Sequence, residues 1–126
     1  MARVPFTKRE STTPEGGKIW DEIESSRGGV ARNYAALLNN PEAAGKLAVL
    51  GGYCRFETPL DPRVKALAIL TAAREANGHY VWTVNQRGAR AAGVSEDIIG
   101  AIREFRAPLG LESKDASVVQ FALELL

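Results

Sequence analysis

The sequence predicts an all-α fold, a compact bundle of about six to seven helices. Three observations lead there. Apolar residues recur at three- and four-residue spacing through most of the chain. Residues that start and stop helices punctuate those stretches. No stretch alternates apolar and polar residues between turn signals, as a strand with one buried face would.

The elements follow in order. Thr13-Pro14-Glu15 supplies a cap, a proline at the first helical position and an acid in the first turn. Ile19, Trp20 and Ile23 then recur at helical spacing until Gly28-Gly29 ends the element. A shorter helix carries Val30, Tyr34, Leu37 and Leu38. Asn40-Pro41-Glu42 repeats the start signal, and Leu47, Leu50 and Cys54 are expected to form the inner stripe of the third helix. The segment ETPL breaks it, and Asp61-Pro62 starts a fourth. Residues 64–73 are apolar nearly all round, which predicts a helix buried on several sides. After a break at Asn77-Gly78, a fifth helix is expected from about Tyr80 to Ala92, closed by Gly93. Ser95-Glu96-Asp97 caps a sixth, with Ile98, Ile102 and Phe105 turned inward, and Asp115 to Leu126 forms a seventh.

Residues 1–12 are polar with one proline and read as an extended arm; residues 13–126 read as one helical domain. The last helix stops with its apolar stripe (Val118, Ala122, Leu125) still running. Either it docks on a partner or the natural chain continues beyond Leu126.

Charge is balanced, with 16 Lys plus Arg against 15 Asp plus Glu, so neither nucleic acid nor an anionic membrane is an expected partner. A single cysteine, Cys54, excludes an internal disulfide framework and a Cys-rich zinc site and fits a reducing, cytoplasmic setting. The N-terminus has no apolar signal region and no apolar run is long enough to span a membrane. The sequence calls for no metal and no other cofactor. Cys54 reads as a small buried hydrophobe, and Arg74 with Glu75 as a solvated pair.

The chemistry-bearing stretch is NGHYVWTVNQ, residues 77–86, which holds the only histidine of the chain and follows the apolar fourth helix. His79 and Tyr80 can exchange protons, Asn85 and Gln86 can hydrogen-bond a ligand, and Trp82 can pack against one. Arg55 or Arg74 can hold a carboxylate. The alternative for each is packing or solvent exposure, and Arg87 with Arg90 read as an outer face that meets solvent or another subunit.

From LAVLGGYCRF through the Asp-Pro helix start, the break, the Tyr-x-Trp segment and ARAAGVSEDII, roughly residues 30–126, the chain resembles the carboxymuconolactone decarboxylase-like superfamily. That superfamily includes alkylhydroperoxidase D. The resemblance implies an all-α fold and a homo-oligomer, a trimer or hexamer. Peroxidase members carry a Glu, then Cys-x-x-Cys, then a His; here those positions fall on Ala66, Gly78, Val81 and Asn85. Shifting by one residue gives Leu67, His79, Trp82 and Gln86 instead. Neither register supplies a thiol, so the family's dithiol route to peroxide reduction is not expected. The decarboxylase members imply a small organic carboxylate or lactone as ligand. His79, Tyr80 and Asn85 would be the catalytic residues and Arg55, Trp82 and Gln86 the substrate contacts. The other expectation is a non-catalytic binding or assembly module on the same fold.

Overall fold

The computed structural model describes residues 3–126. Met1 and Ala2, part of the expected arm, lie outside the described residues. Those residues contain seven α-helices and no strand: α1 (Pro14–Arg27), α2 (Arg32–Leu37), α3 (Pro41–Gly52), α4 (Pro62–Glu75), α5 (His79–Ala91), α6 (Glu96–Arg103) and α7 (Ser113–Leu125). No helix among them is long and apolar enough to cross a membrane.

The expected start signals act as caps. The side chains of Thr13, Asn40, Asp61 and Ser95 accept from the backbone N–H of Gly16, Ala43, Arg63 and Ile98. Gly28 takes the left-handed conformation that ends α1, with φ 72°.

The chain divides into two compact units, Met1–Thr58 and Pro59–Leu126. In the first, α1 packs on α3, and α3 also contacts α2. A side chain at Gly45 would come within 3.2 Å of Ile19 Cδ1, so glycine there lets α3 lie close against α1. The arm includes a short 3-10 turn at Arg9–Ser11, and it is tied down by Thr7 N–H donating to the Ala35 carbonyl. Arg9 pairs with Asp21 of α1. At its end α3 runs directly into a π-helical turn, Tyr53–Glu57, in which Thr58 N–H reaches back to the Tyr53 carbonyl. Arg27 donates to the Ala48 carbonyl at 2.7 Å and lies over the rings of Tyr34 and Phe56.

Two sequence expectations are corrected here. Leu47 and Leu50 are exposed, and Ala44 is the buried residue of α3. Cys54 is a free, exposed thiol on the π turn rather than a buried one.

The second unit is built on α4, which contacts α5, α6 and α7. From Arg63 to Arg74 no residue of α4 is exposed, as its nearly unbroken apolar run predicts. Leu67 and Leu70 join Ala89, Val94, Ile98, Ile99, Ile102 and Val119 in one core. Thr71 is buried with its hydroxyl unpartnered. Arg63 and the buried Asp115 form an ion pair at 2.6 Å that fastens the start of α4 to the first turn of α7, and Arg63 also donates to the Gly93 carbonyl. Phe105, expected inward, is exposed. The helix ends at Arg103, and Phe105 takes φ 54°, which carries it off the buried stripe.

Candidate functional site

The site begins with a tight turn. α4 ends at Glu75 and α5 begins at His79, one residue before the sequence expectation, so only Ala76, Asn77 and Gly78 connect them. Asn77 adopts the left-handed conformation, φ 55°, which Asn tolerates better than most residues. Gly78 N–H then donates to the Ala73 carbonyl at 2.7 Å. A Cβ on Gly78 would stand 3.3 Å from that same oxygen, so the missing side chain lets the new helix start against the end of the old one.

A cavity of about 220 Å³ opens at this turn, lined by Ala73, Arg74, Asn77, Gly78, His79, Trp82 and Arg103. Its size lies below the roughly 300–1,000 Å³ of pockets that take drug-sized ligands. The wall is apolar at Ala73 and Trp82, and Trp82 also packs on the core. Its ionisable side chains are Arg74, His79 and Arg103, with no carboxylate among them. The two arginines are held by the fold. Arg74 Nε donates to the Arg103 carbonyl at 2.6 Å, and its guanidinium stacks 3.8 Å from the Phe105 ring centre. Arg103 lies 6.0 Å from the Trp82 ring centre. Neither arginine forms an ion pair among the described residues. Arg74 therefore does not pair with Glu75, against the sequence expectation.

A sequence model of the carboxymuconolactone decarboxylase family matches residues 41–124, two thirds of the 126-residue chain. The chain belongs to this family. The matched span runs from α3 nearly to the end of α7 and includes the whole α4–α5 turn. No curated protein and no solved structure matches the chain significantly.

In this carboxymuconolactone decarboxylase family protein, two of the six sequence-predicted site residues line the cleft: His79 and Trp82. Tyr80 is exposed on the first turn of α5 and is not part of the lining. Asn85 donates its amide to the Val81 carbonyl at 2.8 Å along its own helix. Gln86 stands one turn beyond Trp82, and its oxygen accepts from Arg103 Nη2 at 3.4 Å and Arg90 Nη2 at 3.3 Å. Arg55 lies in the other unit, on the π turn. Among the described residues, no group of three or more His, Cys, Asp or Glu is placed to hold a metal ion.

Sequence reasoning named Arg74 and missed Arg103. One signal was available: Arg103 follows Ile102 in the last turn of α6, so it flanks the buried stripe and must emerge at the edge of the core. Beyond it, Arg90 is fixed by Glu96. Its hydrogen bond, followed by the charges of Arg90 and Arg103, holds the Glu96 carboxyl below the usual glutamate range.

Proposed function

We propose that this family member uses the cleft at the α4–α5 turn to hold a small organic carboxylate or lactone, as a decarboxylase-like lyase rather than a thiol peroxidase. The observation that carries the reading is the lining itself: two arginines and a histidine beside an indole, with no acid. Guanidinium N–H groups suit a carboxylate oxygen pair, and the Trp82 face suits a flat, unsaturated body.

The chemistry such a lining allows is limited and specific. Loss of CO2 leaves the electron pair of the broken C–C bond on the substrate, where a conjugated carbonyl delocalises it onto oxygen. The nearby positive charge of Arg74 and Arg103 stabilises that oxygen. The carbon then takes a proton, and His79 is the donor in the cleft wall, with Tyr80 next to it in sequence. Gly78, Val81 and Asn85 offer no thiol in the register of the peroxidase motif, and Cys54 is the only cysteine. Peroxide consumption that depends on added dithiol and disappears in Cys54→Ser would overturn this part.

The experiment is a melting-temperature screen of small carboxylates and lactones against the purified protein, repeated with Arg74→Ala and Arg103→Ala. The reading expects a saturable upward shift that either substitution abolishes. Equal shifts in all three proteins would refute it.

A second reading, a non-catalytic oligomeric module, is favoured by a different observation. Val49, Leu50, Tyr53 and Phe56 on α3 and the π turn, and Phe121 and Leu125 on α7, are all exposed. Apolar residues in such numbers suit an interface. Assembly as a homo-oligomer, a trimer or hexamer, is compatible with either reading. A mass of 13.6 kDa in light scattering, unchanged on dilution, would exclude it.

A further inference from the structure

We infer that Gln86 is the residue that keeps the cleft selective for anions, by seating Arg103 without neutralising it. The inference rests on the reading of the cleft as a carboxylate site and assigns that site a positioning residue.

One stripe of α5 carries Trp82, Gln86 and Arg90 at successive turns. Arg103 reaches across from the end of α6 and rests on the first two: its guanidinium lies over the Trp82 ring, and its Nη2 meets Gln86 Oε1. The same oxygen accepts from Arg90, which Glu96 already holds. Both neighbours of Gln86 are pure donors, so the amide oxygen and not its nitrogen must face them. The link continues to the second cation of the cleft, because the Arg103 carbonyl accepts from Arg74 Nε.

Between two arginines a glutamate of the same length would be the stronger partner. It would make the same contacts and put a full opposite charge on the acceptor of both hydrogen bonds. It would also place a negative charge beside Arg103 and cancel much of the field that the cleft offers to a carboxylate. A neutral oxygen gives up that stability and preserves the charge. If Gln86 were only a packing residue, this choice would have no consequence for binding.

The test uses the full chain, benzoate as probe and Gln86→Glu as variant, with affinity read by titration calorimetry and stability by thermal melting. The expected result has opposite signs: Gln86→Glu melts no lower than the parent protein and binds benzoate about tenfold more weakly. Its binding also depends less on added NaCl, since less of it is electrostatic. Gln86→Leu, which frees Arg103 but keeps its charge, should lose only about two- to threefold. Unchanged benzoate affinity in Gln86→Glu, or equal losses in the Glu and Leu variants, overturns the role given to Gln86. Should Gln86→Glu fail to fold, Gln86→Leu decides alone, and a tenfold loss there refutes the charge argument. Absence of benzoate binding in the parent protein, or undiminished binding in Arg103→Ala, instead refutes the carboxylate reading and this inference with it.

Discussion

Arg63→Met should destabilise the second unit more than Asp115→Asn, although both break the same ion pair. The two side chains differ in what they can fall back on. The Asp115 side chain is 9% exposed and that of Arg63 is 30% exposed, at an Nε–Oδ2 distance of 2.6 Å. Removing one partner of a buried pair costs about 3–5 kcal/mol, because the other charge is left without water or counterion. Arg63→Met leaves a carboxylate in that position and also removes the donor to the Gly93 carbonyl, so it should approach that range. In Asp115→Asn the amide oxygen can still accept from Arg63, which keeps its bond to Gly93 and its partial access to water. About 1–2 kcal/mol is expected there. At about 4 °C per kcal/mol for a chain of this size, the first variant should melt 12 °C or more below the parent and the second 4–8 °C below. Arg63→Met combined with Asp115→Leu removes both charges and should recover about 2 kcal/mol relative to Arg63→Met alone. Melting at fixed protein concentration decides the matter. Equal losses in the two single variants, or a double variant less stable than Arg63→Met, would show that the pair acts as a solvated surface contact.

Leu67→Asp places a charge at a fully buried point of the α4 core and should cost several kcal/mol; a normally folded, soluble variant would show that α4 is not the centre of its unit. Thr71→Val replaces a buried, unpartnered hydroxyl with a methyl group and should stabilise by about 1 kcal/mol, so a lower melting temperature would mean that the hydroxyl is used. The pH dependence has a definite sign. Hydrogen bonds from Arg90 and Arg9 hold the carboxyls of Glu96 and Asp21 below their ordinary range, so their contribution is complete above the unfolded value near pH 4 and disappears as pH falls through the lower, folded value. Both pairs are solvent-exposed, so the effect should be small and screened by salt; a Glu96→Gln, Asp21→Asn protein with an unchanged acid limb in melting experiments would refute the linkage.

The helix starts were legible because each rests on local chemistry. Thr13, Asn40 and Asp61 each precede a proline and each supply a side-chain acceptor, so no distant residue is needed to decide the boundary. The burial of α4 was legible for a similar reason, since the eight apolar or small residues from Ala66 to Ala73 leave no face for water. Periodicity failed at α3. Spacing identifies Leu47 and Leu50 as neighbours on one face, but not whether anything covers that face. The π turn at Tyr53–Glu57 was also invisible, because an i→i−5 hydrogen bond carries no compositional mark. At the cleft, the turn and its histidine could be read from NGH, whereas Arg103 depends on where α6 ends in space relative to a residue 29 positions earlier.

On the reading proposed for the cleft, the geometry around Gly78 favours holding an anion over thiol chemistry at the start of α5. A side chain at that position would press on the Ala73 carbonyl, and the N–H there is already committed to the same oxygen. A cysteine at Gly78 could enter only if the end of α4 gave way by a few tenths of an ångström, and the neighbouring positions that line the cleft are Asn77 and His79. The first turn of α5 thus combines a close helix–helix junction with a polar mouth, and the positive charge comes from Arg74 and Arg103, side chains carried by α4 and α6. That charge is not supplied by the residue at position 78. Substituting Gly78 by alanine should therefore loosen the junction and lower the melting temperature while benzoate binding in calorimetry persists, whereas Arg74→Ala or Arg103→Ala should abolish that binding; loss of benzoate binding in Gly78→Ala would refute the separation.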